Sequence, residues 1–161
     1  MITRATLLGL GSLAALSLAA PTNWKATLKA TDNSLVAGTA TVEAVGADST
    51  RATVKVTGAT AGSELAWHIH TGACGAQGKI VGPPAAYTSI KVGPDGNAKG
   101  TAVLPSAPPT TGEYAVTVHA STTDMTPVAC GALTPDTSMP KPMEMDSMKA
   151  MHHPDSTKTR P

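Results

Sequence analysis

Five histidines occur in the 161 residues, and three of them fall where imidazoles could act together. His68 and His70 lie in Leu65-Ala66-Trp67-His68-Ile69-His70, which reads as a β-strand. Side chains two apart on a strand share a face, so both rings look the same way. Two neutral imidazoles side by side are a ligand pair for copper or zinc. His119 ends another strand-like run, Glu113-Tyr114-Ala115-Val116-Thr117-Val118. The last two, His152 and His153, sit with Met139, Met143, Met145, Met148 and Met151 inside fifteen residues. Thioethers are soft ligands that favour copper(I), and adjacent imidazoles can hold copper(II). This distribution points to a metal protein, with copper ahead of zinc. A lone histidine at a strand end is more often a surface residue, so the metal reading requires the three rings to converge, with their nitrogens within about 4 Å of one another.

The elements that must position these residues are strands. Runs 24–30, 38–44 and 51–56 alternate with period two and are rich in Val, Thr and Ala, the pattern of a strand with one buried and one wet face. Further strands are expected at 66–70, 87–92, 98–104, 114–119 and 129–133. Gly, Pro, Asp and Asn punctuate them, and Pro94-Asp95-Gly96-Asn97 is a hairpin turn signal. No stretch after residue 20 carries a helical period. Eight short strands with such turns predict an all-β antiparallel sandwich or barrel. Its core must come from Val, Ala, Leu and Ile, because phenylalanine is absent and aromatics make up 2% of the chain. Trp24 and Trp67 are the large fillers, and Trp67 should face away from the histidines.

The ends read differently. Met1-Ile2-Thr3-Arg4 is a short basic start, followed by an apolar run from Leu7 to Ala20. That is the pattern of a secretory signal peptide over residues 1–20, with a retained N-terminal anchor helix as the rival reading. The run is short for a membrane span, and none is expected after cleavage. Residues 21–134 form the expected barrel. Residues 135–161 combine Met, Pro and balanced charge, a composition that cannot build a core and is expected to be disordered, or to fold only on a partner. A net charge of +1 with no basic patch gives no support to nucleic-acid binding. Export, to the periplasm or outside the cell, implies an oxidising compartment. There the two cysteines, Cys74 and Cys130, most simply form one disulfide, with a cysteine metal ligand as the alternative.

These segments together resemble the copper/zinc superoxide dismutase family. Gly38-Thr39-Ala40, Val54-Lys55-Val56-Thr57-Gly58 and Ala66-Trp67-His68-Ile69-His70 look like its opening strands. Cys74 follows at a similar short spacing, Val118-His119 resembles its later copper-ligand strand, and Ala129-Cys130-Gly131-Ala132-Leu133 its final cysteine-bearing strand. The resemblance covers most of residues 24–134. It implies an eight-stranded Greek-key β-barrel, with His68, His70 and His119 as three ligands of one copper ion and Cys74–Cys130 as the internal disulfide.

The departures are specific. The family's histidine that bridges copper to zinc falls at Ile80, and between Cys74 and Tyr87 there is no histidine, aspartate or glutamate, so no zinc site is expected. The family's superoxide-positioning arginine falls at Pro127. The ten residues between His119 and Cys130 leave no room for its charged steering loop. Lys79 or Lys91 could supply positive charge, but nothing in the sequence places either near the histidines. A three-histidine site suits copper(I), while copper(II) usually takes a fourth ligand, from water or from the tail. The sequence reads as an exported copper-binding protein that dismutates superoxide at a copper-only site. The alternative is non-enzymatic copper buffering or delivery at the cell envelope, and a third reading is a metal-free structural sandwich. No catalytic residue is assigned, and oligomeric state is open.

Overall fold

The computed structural model describes residues 23–107 and 111–137. The leader segment and the tail cluster from Met139 to His153 lie outside these residues. Nine strands follow one another: β1 (Asn23–Ala30), β2 (Ala37–Gly46), β3 (Ser49–Thr57), β4 (Glu64–Thr71), β5 (Ile90–Lys91), β6 (Ala98–Leu104), β7 (Tyr114–His119), β8 (Pro127–Ala132) and β9 (Thr134–Pro135). One 3-10 turn, Pro84–Ala86, precedes β5, and there is no α-helix among the described residues. The strands hydrogen-bond antiparallel in the order β5-β4-β7-β8-β1-β2-β3-β6, with β9 added to the start of β1. The pairings β4–β7, β3–β6 and β1–β8 join strands distant in sequence, which is Greek-key connectivity. Only the seam between β5 and β6 lacks a ladder, so the sheet curls into a nearly closed eight-stranded barrel.

The period-two pattern explains the interior. Trp24, Ala26 and Leu28 of β1, Ala40 and Val42 of β2, Ala52, Val54 and Val56 of β3, and Ala102 and Leu104 of β6 are buried inward. The cross-strand row Ala26–Ala40–Val54–Gly100 is made mostly of small residues. That row leaves room for Trp67 from β4, which is 1% exposed and donates its indole N–H to the Thr88 carbonyl at 3.1 Å. A Cβ at Gly100 would come within 2.9 Å of Trp67 Nε1 and 2.2 Å of Ile90 Cγ2, so glycine is required there. A buried indole removes roughly 150–250 Å² from water, worth about 4–6 kcal/mol. In a core without phenylalanine, this one side chain anchors β4 firmly.

Two expectations need correction. The strand anticipated at 87–92 is reduced to Ile90–Lys91, because Pro83 and Pro84 start a 3-10 turn that delivers Tyr87 to the end of that turn rather than to a ladder. The two-residue β9 was not anticipated, since a strand containing proline at a sheet edge leaves no alternating pattern. The segment 94–97 is a turn as expected, but β5 and β6 on either side of it share no ladder, so it does not close a hairpin. Gly96 has φ +73°, Asp95 accepts from the Asn97 N–H at 3.1 Å, and Gly93 N–H donates to the Asn97 carbonyl at 2.8 Å.

Candidate metal centre

Leu65, Trp67 and Ile69 of β4 point into the barrel, so Ala66, His68 and His70 face outward. On the adjacent β7, Val116 and Val118 join the core, leaving Ala115, Thr117 and His119 on the same outer face. The register pairs Ala66 with His119, His68 with Thr117 and His70 with Ala115. His68 therefore lies two residues from His119's partner on one strand and beside His70 on the same strand. The ring centroids form a triangle of 5.8 Å (His68–His70), 5.3 Å (His68–His119) and 5.9 Å (His70–His119). One ligand atom from each ring lies within 4.8 Å of the others. Ligands about 2.0–2.1 Å from one ion sit no more than about 4 Å apart, so ring adjustments of under about 1 Å close the set.

Local structure fixes how each ring is turned. His70 Nδ1 is 3.1 Å from the Gly78 carbonyl and His119 Nδ1 is 2.8 Å from the Met125 carbonyl. A carbonyl only accepts, so both Nδ1 atoms carry the proton and both Nε2 lone pairs are left free. His70 Nε2, His119 Nε2 and His68 Nδ1 are buried without a hydrogen-bond partner. Leaving a buried nitrogen unsatisfied costs about 1–3 kcal/mol each, and three converging on one space is the pattern a cation would relieve. The residues present thus fit a single metal ion of the kind imidazole favours.

The carbonyl acceptors come from two short loops. After β4 the chain folds back on itself: Gly78 N–H donates to Thr71 O at 2.7 Å, Thr71 N–H to Lys79 O at 2.9 Å, and Val81 N–H to Ile69 O at 2.8 Å. The Cys74–Cys130 disulfide ties this loop to β8, with 5.9 Å between the Cα atoms. Gln77 adds a tie to β7 by donating to Thr117 Oγ1 at 3.3 Å. The second loop follows β7. The register slips between Val118 and His119, so that His119 pairs with Pro127. Proline has no N–H to offer a ladder and suits such an irregularity. Asp124 then accepts from Thr126 N–H at 2.9 Å and Ala120 N–H donates to Thr126 O at 2.9 Å, which holds the Met125 carbonyl under His119.

Burial, with the neighbouring His119 and His70 rings adding to it, lowers the His68 pKa to about 4. Burial likewise lowers that of His119. Neutral rings at pH 7 are the form that ligates metal. Tyr87, 8% exposed, has its phenol pKa raised by burial to about 12 and donates its proton to the Val81 carbonyl at 2.7 Å. Neither lysine nor arginine contributes to the shifts of His68 or His119, and Lys79 and Lys91 make no ion pair among the described residues.

The structure brings His68, His70 and His119 together and joins Cys74 to Cys130, which removes the cysteines as metal ligands. Ile80, where the family resemblance would put a fourth histidine, forms a bridge pair with His70 and so lies on the same face. Sequence reasoning missed Tyr87, Gln77 and the carbonyls of Gly78 and Met125. A cleft of about 510 Å³ at one barrel end, lined by Asp32, Leu35, Thr60 and Val128 among others, contains none of the histidines. The chemistry-bearing face therefore lies apart from this cleft. No protein-family model matches the sequence, and no curated protein matches it. Among solved structures, the crystal structure of the clock protein EA4 is similar, with a TM-score of 0.57, 15% identity, and coverage of 76% of this chain and 100% of that one. At that identity, the likeness shows a shared fold.

Proposed function

We propose that this chain is an exported copper-binding protein in which His68 Nδ1, His70 Nε2 and His119 Nε2 hold one copper ion. The observation that carries this reading is the set of three buried, unpartnered ring nitrogens, one from each ring, on a single face. Copper is preferred to zinc because the chain carries a cluster of soft thioethers at Met139, Met143, Met145, Met148 and Met151 beside His152 and His153, and because the 75–86 segment supplies none of the acidic or histidine ligands of the zinc site in the family it resembles. In this reading residues 1–20 are removed on export, residues 21–134 form the copper-holding barrel, and residues 135–161 gather copper for it. A disulfide and a short apolar leader run support an oxidising compartment.

Bound copper would supply a one-electron couple able to take an electron from one superoxide and give it to another. The protein's own contribution is to keep three ring nitrogens oriented, while the His68 and His70 side chains stay partly exposed. Use of the site for superoxide exchange requires the anion to approach past these two rings. The rival use, copper buffering or delivery, is favoured by Ile80 in place of a fourth ligand and by the absence of a cation beside the rings among the described residues. Metal content and dismutation rate measured on one copper-loaded sample, beside His119→Ala, decide between them. A rate well above that of free aqueous copper, lost in the variant, supports dismutation. One copper per chain with no such rate supports buffering. No bound copper in the wild-type protein rejects the proposal.

A further inference from the structure

His70 and His119 are each turned by a hydrogen bond from Nδ1 to a backbone carbonyl. His68 has no such bond, and its Nδ1 is one of the three buried ring nitrogens without a partner. Besides the other two histidines, the ring that meets it is that of Tyr87. The Tyr87 ring lies edge-on to His68, with centroids 5.2 Å apart and planes at 72°. On its other side it meets Trp67 at 5.2 Å and 88°. Trp67 and His68 point to opposite faces of β4, so Tyr87 wraps the open edge of that strand beyond the two residues that β5 covers. Its own freedom is removed at both ends. The Tyr87 N–H donates to Pro84 O at 3.1 Å, closing the 3-10 turn, and its hydroxyl donates to Val81 O at 2.7 Å. Val81 is in turn bonded back to β4 through Ile69 O.

We infer that Tyr87 is a positioning residue for the metal centre. Its clamped ring holds His68 in the orientation that presents Nδ1 to the shared space, the task that carbonyls perform for the other two histidines. The inference rests on the metal-binding reading of the three rings. It predicts an uneven centre, with two ligands oriented by polar bonds and one by aromatic packing. Outer partners of ligating histidines typically affect metal affinity by about 10–100-fold, and an edge-on ring pair is the directional contact available to an imidazole that lacks a carbonyl.

The test uses the full chain as wild type, Tyr87→Leu and Tyr87→Phe. Copper(I) is titrated against a chromophoric chelator, with metal-free thermal melts in parallel. Tyr87→Leu should weaken copper(I) binding by about 10-fold or more, while Tyr87→Phe, which keeps the ring and loses only its hydroxyl bond to Val81, should weaken it by clearly less than Tyr87→Leu. In metal-free wild type, long-range ¹H–¹⁵N spectra and ring relaxation should show His68 in one orientation, as ordered as His70. Wild-type affinity in Tyr87→Leu overturns the inference, as does a His68 ring that averages between orientations while His70 and His119 stay fixed. If Tyr87→Leu does not fold, the ring measurement on wild type decides. A wild-type chain that takes up no copper removes the metal reading, and the ring measurement still tests the clamp by itself.

Discussion

Opening the Cys74–Cys130 link should weaken the protein twice, once as a fold and once as a metal site. The bond closes a loop with a sequence separation of 56. Constraining a loop of that length in the unfolded chain is worth about 4 kcal/mol. For a domain of about 115 residues, with an unfolding entropy near 2.1 cal/mol/K per residue, this corresponds to a fall in Tm on the order of 15 °C. The second effect comes from geometry. The loop carried by Cys74 also carries Gly78, whose carbonyl orients His70. Letting that loop move should cost copper(I) affinity about 10–100-fold, the usual penalty for losing an outer partner of a ligand histidine. The assay is a Cys74→Ser/Cys130→Ser variant, compared with wild type by thermal circular dichroism and chelator competition. If Tm falls by the stated amount but copper(I) affinity is unchanged, the transmission from disulfide through Gly78 to His70 is refuted. The backbone bonds from Thr71, Gly78 and Val81 would then hold the loop unaided.

Two other outcomes follow from the site. Ile80→His should add a fourth imidazole beside His70, shifting the preference of the centre from copper(I) toward copper(II), at a stability cost of about 1 kcal/mol for the half-buried isoleucine. A copper(II)-to-copper(I) affinity ratio equal to that of wild type would show that the side chain at 80 does not reach the centre. The metal-free protein should lose stability as pH falls from about 6.5 to about 4. The folded His68 stays neutral until about 4, while the unfolded chain takes up its proton near 6.5, so the unfolded state binds more protons throughout that window. His119 adds in the same direction. After discounting for solvent around a partly open ring, the His68 contribution is about 1–2 kcal/mol. Urea midpoints of wild type and His68→Gln at pH 7.5, 5.5 and 4.5 check this, and parallel declines in both would refute it. Asp95 and Asp124, whose carboxyl pKa values are lowered by hydrogen bonds from Asn97 and Thr126, lose their contribution below that window.

The parts of this site visible in the sequence were those written as side-chain type and period. Alternation put His68 and His70 on one face and Trp67 on the other, and both hold. His119 on a strand between the two cysteines gave the third ring. The parts hidden were backbone and loop geometry. Any residue could supply the carbonyls of Gly78 and Met125, so nothing in those letters marks them as acceptors. Tyr87 looked like the first residue of a strand because Tyr-Thr-Ser-Ile-Lys-Val has strand composition. The preceding Pro83-Pro84 starts the 3-10 turn that takes Tyr87 out of a ladder.

The most direct test of the central claim is a copper(I) competition titration of the full chain against a His68→Ala/His70→Ala/His119→Ala variant. All three side chains sit on the outer face, so the barrel core is untouched. The account predicts that the wild-type chain binds one more equivalent of copper than the variant, and that the difference persists when the methionines from Met139 to Met151 are replaced by leucine. Equal stoichiometry and affinity in wild type and the triple variant would contradict it.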